Sequence, residues 1–418
     1  MCKKCQRGID GHIFVHPPDS RLLASKEVSE TPKIFPHVFS AFYDLPVIHS
    51  ESTFQAFMAY DNKANTLTQS QMLKMTDARD FIHSQHSEIA GLEKMGDFSY
   101  HNISQLPPHA KLLSSIWSYR RKYRPDGALI KHKSRLCVNG SQQRHGRDYW
   151  EIYAPVVTWS FVHLILLLPT IMQLKSCQVD YTQAFHQAEL HDPVFMWSPQ
   201  GWCVVPNEVL LQHSYPKHND TLHYVQLHHN LYGCKQAPCS WYHRLNKGIL
   251  AQCFYQSKID PCLHLWSDCT TIFYTGDTLI FAREDSIIDG VVKNLSLSYN
   301  LEDHGAVFNF LGTRISTDSE TKTITMTQPG QIESILQALG FHSSTNMKFT
   351  PTDSILYKDT NGSPRIDTWN FCSLIGKLNF LAQNTHPDIS FSVHQCSCFS
   401  HSTTRGRCET YCLLPSIH

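Results

Sequence analysis

The sequence predicts a mixed α+β fold with antiparallel sheet, on the strength of two hairpin patterns and one apolar helix pattern. In residues 271–282, two runs rich in Ile, Phe and Tyr flank a turn predicted at Gly276 and Asp277. A second hairpin is predicted to turn at Pro125-Asp126-Gly127, between residues 115–119 and 128–130. Residues 160–174 are apolar on most faces, which predicts a buried helix.

Length and composition bound the function only coarsely. The 418 residues suggest two to three domains, at about one per 150 residues. Hydrophobic residues make up 41% and aromatic residues 11%, which is enough for a core and argues against general disorder. Lys+Arg and Asp+Glu both number 36, so the net charge favours no class of partner.

Cysteine usage and hydropathy favour an intracellular protein with no membrane partner. The 15 Cys have no paired spacing, and no N-terminal apolar run resembles a signal peptide, so secretion is not expected. Cys2 and Cys5 have no second Cys/His pair nearby, so a zinc site is not expected there. The longest apolar run, residues 161–172, is too short to span a bilayer and is interrupted by His163 and Pro169.

The first part of the chain predicts a leader and then a packing helix. Residues 1–70 carry Pro, Ser, His and Asp without sustained periodicity, so we expect a poorly ordered leader or linker. Residues 77–95 predict an amphipathic helix, because their apolar side chains recur at mostly helical spacing. Those side chains are Phe81, Ile82, Ile89, Leu92 and Met95.

The second predicted hairpin carries the strongest local charge. Between Lys111 and Arg135 there are eight Lys or Arg residues and one acid, Asp126. The eight are Lys111, Arg120, Arg121, Lys122, Arg124, Lys131, Lys133 and Arg135. This excess suits contact with phosphate, from a nucleic-acid backbone or a triphosphate. The alternative is a basic surface hairpin with no ligand.

Two acids, one on a predicted strand and one at a hairpin tip, and one loop before a helix are candidates for a functional site. Residues 176–182 predict a short strand that carries Asp180 near its end, followed by a turn into a short helix over 184–190. Residues 231–238 predict a loop that feeds a helix, and residues 328–340 predict another helix. Asp277 at the hairpin tip would be held rigidly enough to meet a metal ion. The alternative is that Gly-Asp is there only as good turn chemistry.

The sequence motifs around these features resemble those of one family. A strand with Asp180, then Gln236-Ala237-Pro238 before a helix, then the hairpin from Tyr274 to Asp277 is the order of motifs in a polymerase palm. The family is indicated by the runs Lys131-His132-Lys133-Ser134-Arg135-Leu136, Gln178 to Phe185 and Leu231 to Tyr242. Phe310-Leu311-Gly312, Thr350-Pro351 and Thr385-His386-Pro387-Asp388 continue the series. Over residues 75–400 the chain resembles the reverse transcriptase of copia-type retrotransposon Pol polyproteins.

The resemblance implies an architecture. The expected fold is a right-hand polymerase, reverse-transcriptase-like, with fingers, a palm built on an antiparallel sheet, and a thumb. Fingers and palm are expected over residues 71–318 and a thumb-like segment over 319–365. Residues 366–400 would be a connection toward a missing ribonuclease H region, and residues 401–418 an aberrant tail, as in a truncated and degenerate copy.

The resemblance also implies roles for six residues. Asp180 and Asp277 would be catalytic and would hold Mg²⁺ for two-metal nucleotidyl transfer. Lys133 and Arg135 would clamp the triphosphate. Gln236 would lie along the incoming nucleotide, and Phe185 would exclude a ribose 2′-oxygen, unless it is a plain core aromatic. The implied partners are an RNA or DNA template–primer and deoxynucleoside triphosphates, in a cytoplasmic particle or the nucleus.

One departure from the family weakens the expected chemistry. The family's Tyr-x-Asp-Asp tip reads Tyr274-Thr275-Gly276-Asp277 here, so an acid that holds metal in the family is missing. Losing this acid should lower activity by more than the roughly 10–100-fold that follows when groups supporting a metal ligand are disturbed. We therefore expect a reverse transcriptase with little or no polymerase activity. The alternatives are a non-catalytic nucleic-acid-binding remnant and a non-functional relic, the latter favoured by Cys239 and His386 at positions where the family has Arg.

Overall fold

A computed structural model describes residues 66–123, 129–199, 223–318, 320–339 and 370–398, and structural statements below concern those residues. The predicted turn at Pro125-Asp126-Gly127, most of the thumb-like segment and the predicted tail 401–418 lie outside them. Of the expected leader, the structure describes only residues 66–70, which belong to a short strand and the start of a helix. Residues Thr66–Leu67 form a strand that pairs with residues Tyr119 and Arg120.

Eight helices and sixteen strands are numbered here in chain order. The helices are α1 Gln69–Met72, α2 Ala78–Met95, α3 Trp159–Met172, α4 Ala237–Leu250, α5 Asp285–Ser296, α6 Pro329–Leu339, α7 Phe371–Asn384 and α8 Ser390–Ser397. The strands are β1 Thr66–Leu67, β2 Phe98–Asn102, β3 Leu112–Leu113, β4 Ser115–Tyr123, β5 Leu129–Val138, β6 Lys175–Tyr181, β7 Glu189–Trp197, β8 His223–His229, β9 Tyr255–Gln256, β10 Leu263–Trp266, β11 Cys269–Tyr274, β12 Asp277–Ala282, β13 Leu301–Asp303, β14 Asn309–Phe310, β15 Thr313–Asp318 and β16 Thr323–Thr327.

The strands form four sheets. We call β13-β6-β12-β11-β10-β9 the central sheet and β1-β4-β5 the basic sheet. The other two have the orders β2-β8-β7-β3 and β14-β15-β16. Only β3 and β7 pair in parallel among the described strands. Helices and largely antiparallel sheets in one chain confirm the predicted α+β class.

The central sheet is built around a buried hairpin. Strands β11 and β12 are buried along almost their whole length, as their Ile, Phe and Leu content predicts. Helix α4 covers the tip: its buried Trp241 donates an indole N–H to the carbonyl of Thr275 at 2.5 Å. The Trp241 ring also meets that of Tyr181 on β6, 5.1 Å between centroids. Residues alternate along a strand, so Asp180 lies on the sheet face opposite Tyr181 and α4.

The basic sheet packs on α2. Its inward residues Trp117, Tyr119 and Leu136 are buried with Phe81 and Ile89 of that helix. Polar contacts fix the pairing as well: Gln85 donates to the Tyr119 hydroxyl at 2.6 Å, and the Ser134 hydroxyl donates to the Phe81 carbonyl at 3.0 Å. Gly96, with φ +71°, ends α2 in the left-handed conformation that glycine favours. The predicted helix over 77–95 is confirmed.

A second apolar cluster joins the last helices. Ile335 of α6 is buried with Leu374, Leu378 and Leu381 of α7 and Val393 of α8. This cluster lies against α3, where the His163 ring pairs with the Asn384 carbonyl at 3.0 Å between Nε2 and O. The part of the expected connection that the structure describes is therefore packed on the helix that leads into β6.

Several sequence expectations differ from the structure in detail. The predicted helix over 184–190 is a single 3₁₀ turn, Ala184–Gln187, because β7 begins at Glu189 and takes the remaining residues into a sheet. The predicted buried helix is α3, but Leu167 and Ile171 are 41% and 49% exposed, so one of its faces is open. The expected boundary between palm and thumb at 318/319 falls inside the β15–β16 hairpin.

Candidate active site

Three acids, which we call the acid row, lie side by side across the central sheet. Asp277 is the register partner of Asp180, and Glu302 is the register partner of Asp180 on its other side. Directly opposed residues of antiparallel strands project from the same face. The arrangement thus brings Asp180 and Asp277 together, as the order of motifs predicts, and adds Glu302. A hydrogen bond from the Gln178 amide to Asp277 Oδ1, at 3.3 Å, orients the second acid.

Burial and repulsion from neighbouring acids favour the neutral form of Asp180 and Asp277. The pKa of Asp277 is raised by burial and then by the charge of Asp180. The pKa of Asp180 is raised by burial and by Glu302, while His304 and Lys133 act in the opposite sense. Half-buried carboxylates that raise one another's pKa are the kind of set that a bound cation would stabilise.

The hairpin tip does not require a glycine at position 276. The turn is Thr275-Gly276, one residue earlier than predicted, since Tyr274 and Asp277 form the last strand pair. Thr275, with φ +53°, takes the left-handed conformation, and Gly276 does not. A Cβ on Gly276 would meet Asp180 Oδ1 at 3.5 Å and the Ala184 Cβ at 3.9 Å, which are ordinary van der Waals distances. A side chain therefore fits at 276 and would lie beside Asp180.

The cations of the basic sheet separate onto two faces. Arg121 and His132 are register partners on the face toward α2, where Asp77 accepts two hydrogen bonds from Arg121, at 2.7 and 2.8 Å, and pairs with His132 at 2.7 Å. The Arg121 hydrogen bond, followed by that of His132, holds the pKa of Asp77 well below its usual range. The outward face carries five cations: Arg120, Lys122, Lys131, Lys133 and Arg135. We call these five the basic face.

The basic face is turned toward the acids. Both Lys133 and Lys122 lower the pKa of Asp180 through their charge. Burial holds the pKa of Lys133 at about 8, with repulsion from Arg135 and Lys122 adding to it. Behind Lys133 and Arg135, burial raises the pKa of Glu88 on α2, and these two cations oppose that rise. A cluster of half-buried cations next to acids suits a multiply charged phosphate ligand.

Tyr232 connects two of the predicted nucleotide-binding residues. The Arg135 guanidinium lies over the Tyr232 ring, 5.2 Å from its centroid. Phe185 meets the same ring edge-on at 5.9 Å between centroids. Phe185 is half-buried and packs against the core cluster without being part of its fully buried interior. Arg135 and Phe185 therefore share one aromatic support, which fixes their separation.

Gln236 lies at the start of α4, in a loop pinned to the end of β5. The Val138 N–H donates to the Tyr232 carbonyl at 2.7 Å. Gly233, with φ +89°, permits the close approach, since a Cβ there would lie 2.1 Å from the Val138 carbonyl oxygen. The side-chain amide of Gln143 donates to Gln236 Oε1 at 3.0 Å. Gln236 is thus held by groups on the same segment that carries Lys133 and Arg135.

Sequence reasoning missed four residues of this site. Tyr232 lies within a quoted motif but had no role assigned, and Lys122 was one cation among eight. Glu302 and Gln143 carry no local signal, because their positions depend on pairing between segments far apart in sequence. The roles of Asp180, Asp277, Lys133, Arg135, Phe185 and Gln236 stay predictions, now with a shared location for the first three.

Among the described residues, no helix is both long and apolar enough to cross a membrane. No group of three His, Cys, Asp or Glu side chains in that part of the chain is placed to hold a metal ion.

Comparison with known proteins identifies the family. A family profile described as "Reverse transcriptase (RNA-dependent DNA polymerase)" matches residues 98–354, more than half of the chain. The chain is 25% identical over 359 residues to the Retrovirus-related Pol polyprotein from transposon TNT 1-94 of Nicotiana tabacum, covering 82% of this chain and 25% of that polyprotein. It is 27% identical over 316 residues to that from transposon RE1 of Arabidopsis thaliana, covering 74% of this chain and 20% of the polyprotein.

These relatives are much longer than this chain, which spans about a quarter of their length or less. A solved structure of a foamy viral protease–reverse transcriptase in complex with double-stranded DNA is similar over 78% of this chain and 44% of its own, with a TM-score of 0.38 and 12% identity. The match to the family profile decides the assignment. The chain belongs to the reverse transcriptase (RNA-dependent DNA polymerase) family, as a right-hand polymerase domain of the copia-type Pol polyprotein.

Proposed function

We propose that this domain binds a template–primer and a deoxynucleoside triphosphate at the basic face and the acid row, and that Gly276 leaves it little or no polymerase activity. Family membership supports the reaction class, RNA-directed DNA synthesis. The opposition of Asp180 and Asp277 next to Lys133 supports the location. Lys133 and Arg135 would contact the triphosphate, and Phe185 would lie beside the sugar.

The residues present do not complete the metal site that this reaction uses. The family uses divalent metal ions, which take oxygen ligands from carboxylates. Asp180 and Asp277 offer two carboxylates, and Glu302, whose side chain is 70% exposed, is turned largely to solvent. Gly276 occupies the position at which the family motif has its third carboxylate. We therefore assign no catalytic step to a bound metal in the chain as it stands.

The observation that carries the proposal of impaired catalysis is the missing carboxylate at Gly276, at a position where a side chain would fit. A Cβ there would lie 3.5 Å from Asp180 Oδ1, with no steric conflict. An aspartate at this position would add its carboxylate next to Asp180, and the two could then hold a divalent cation. The Gly276→Asp variant should therefore fold and should regain metal binding.

Primer extension on an RNA template tests this proposal. With Mg²⁺, and separately with Mn²⁺, Gly276→Asp should extend a primer more than about 100-fold faster than the chain as it stands. Gly276→Asn, of equal size but uncharged, should not gain activity. Adding Asp180→Asn to the Gly276→Asp background should abolish the gain. Equal rates for Gly276 and Gly276→Asp would refute our account of this position.

A metal titration gives a readout that does not depend on turnover. Gly276→Asp should have a lower Tm than the parent without metal, because it adds a third negative charge beside two half-buried acids. Mg²⁺ should raise the Tm of Gly276→Asp more than that of the parent or Gly276→Asn. A parent domain that responds to Mg²⁺ as strongly as the variant would show that two carboxylates suffice.

The basic face favours a second candidate function, binding of nucleic acid without catalysis. Five cations on one sheet face suit a phosphate backbone, whether or not the acids hold metal. Affinity for a template–primer should then fall steeply with rising salt in both the parent and the Gly276→Asp variant. Absence of binding at low salt would leave the relic as the remaining alternative.

A further inference from the structure

A buried glutamine stands behind the predicted nucleotide-contacting residue Gln236. Gln143 is 4% exposed and follows the short 3₁₀ helix Gly140–Gln142 after β5. Its Oε1 accepts from the Lys235 backbone N–H at 2.8 Å. Its Nε2 donates to Gln236 Oε1 at 3.0 Å and to the Asp148 carbonyl at 3.5 Å. Both ends of this amide are therefore used within the protein.

The orientation of the Gln143 amide follows from donor and acceptor chemistry. A backbone N–H only donates, so the atom of Gln143 facing Lys235 has to be the oxygen. The other end is then NH₂, which only donates, so the atom of Gln236 facing it has to be Oε1. One backbone N–H thus sets the orientation of two carboxamides in series. The NH₂ of Gln236 is turned away from Gln143.

The loop that carries Gln143 is held rigidly enough to maintain the orientation of both carboxamides. The neighbouring Gln142 accepts the Ser114 backbone N–H at 2.7 Å. Gly140 passes so close to the Gly233 carbonyl that a Cβ on Gly140 would lie 2.0 Å from its oxygen. The loop of Gln143 and the loop of Gln236 are therefore held against each other at backbone distance.

We propose that Gln143 is a positioning residue, which fixes the Gln236 carboxamide so that it presents hydrogen-bond donors, and no acceptor, to the incoming nucleotide. This inference rests on the proposed function, in which Gln236 contacts that nucleotide. The site then favours a nucleotide that offers an acceptor oxygen at this point. Reversal of the Gln236 amide would turn its carbonyl oxygen toward that acceptor and weaken binding.

Gln143→Glu tests the proposal with a small change of shape. One carboxylate oxygen still accepts from Lys235, and the other accepts where NH₂ donated before. Gln236 must then reverse to donate to Glu, and its oxygen faces the nucleotide. We expect affinity for a deoxynucleoside triphosphate to fall about 10-fold. It is measured at equilibrium on a complex with a chain-terminated template–primer, which needs no catalysis.

Two further variants separate positioning from general damage. Gln142→Glu adds the same charge one residue away and keeps the acceptor for Ser114, so it should leave nucleotide affinity unchanged. In a Gln236→Ala background, Gln143→Glu should have no further effect, because the residue through which it acts is gone. Additive losses in the double variant, or equal losses in Gln142→Glu and Gln143→Glu, would overturn the proposal.

Side-chain amide NMR gives a result that does not depend on nucleotide binding. With ¹⁵N-glutamine labelling, the Gln236 NH₂ should exchange quickly with solvent in the parent domain and become protected in Gln143→Glu. Protection of the Gln236 NH₂ already in the parent would overturn the inference. If the parent binds neither template–primer nor nucleotide, the proposed function fails, while the amide exchange still decides the orientation.

Discussion

The two faces of the basic sheet should respond in opposite ways to loss of charge, although the residues concerned are neighbours in sequence. Lys122 and Lys131 are register partners on the outward face, and both are exposed. Arg121, the residue before Lys122 and the register partner of His132, is bound to Asp77 by two hydrogen bonds at 2.7 and 2.8 Å on the inward face. Outward charges serve binding, and the inward charge serves folding.

The size of each effect follows from these contacts. Each phosphate contact contributes about 0.9 to the slope of log affinity against log salt for duplex DNA, so Lys122→Gln with Lys131→Gln should reduce that slope by about 1.8. Arg121→Gln should leave the slope unchanged. It should cost about 1–3 kcal/mol of unfolding free energy, because Asp77 loses two charge-assisted hydrogen bonds.

Fluorescence anisotropy on a labelled template–primer over a salt series measures the slope, and urea denaturation measures the stability. The double lysine variant should unfold like the parent. If Arg121→Gln lowers the slope as much as the double variant, or if the double variant leaves it unchanged, the division into two faces is wrong.

Three other predictions concern Lys133, Gly233 and Gly91. Burial, with repulsion from Arg135, holds the pKa of Lys133 at about 8, below its ordinary value, so its charge is lost as pH rises through that value. Triphosphate affinity should therefore fall between about pH 7 and pH 9 in the parent and stay level in Lys133→Arg, whose guanidinium remains charged; a fall of equal size in both would contradict this. Gly233→Ala should destabilise the domain by more than about 1 kcal/mol, since its Cβ would lie 2.1 Å from the Val138 carbonyl oxygen at φ +89°. Gly91→Ala, inside α2 with open space around it, should instead stabilise by about 0.5–1 kcal/mol in the same denaturation assay.

The elements that sequence predicts well are those whose signals are local. The helix over 77–95 is predictable because its apolar residues recur along one face, and the β11–β12 hairpin because β-forming runs flank a turn. The exact position of the hairpin turn is less predictable, because the left-handed conformation falls on Thr275, and threonine rarely adopts that conformation.

What the sequence does not predict depends on pairing between distant segments. Glu302 reaches Asp180 through β13, a strand of only three residues with no strand-forming run around it. Asp77 pairs with Arg121 and His132 across 44 and 55 residues, so counting charges between Lys111 and Arg135 overstates the outward charge. The order of motifs placed Asp180 and Asp277 near each other, and only the register puts them directly opposite.

The acid row has a consequence for how such a domain persists. Asp180 and Asp277, whose pKa values are raised by burial and by neighbouring acids, weaken the fold near neutral pH when no cation is bound, and a third aspartate at the hairpin tip would add to that cost. Exchange of the tip aspartate for Gly276 relieves part of that cost. A glycine at this position therefore makes the metal-free domain easier to fold than an aspartate would, so that at the hairpin tip loss of charge and gain of stability go together.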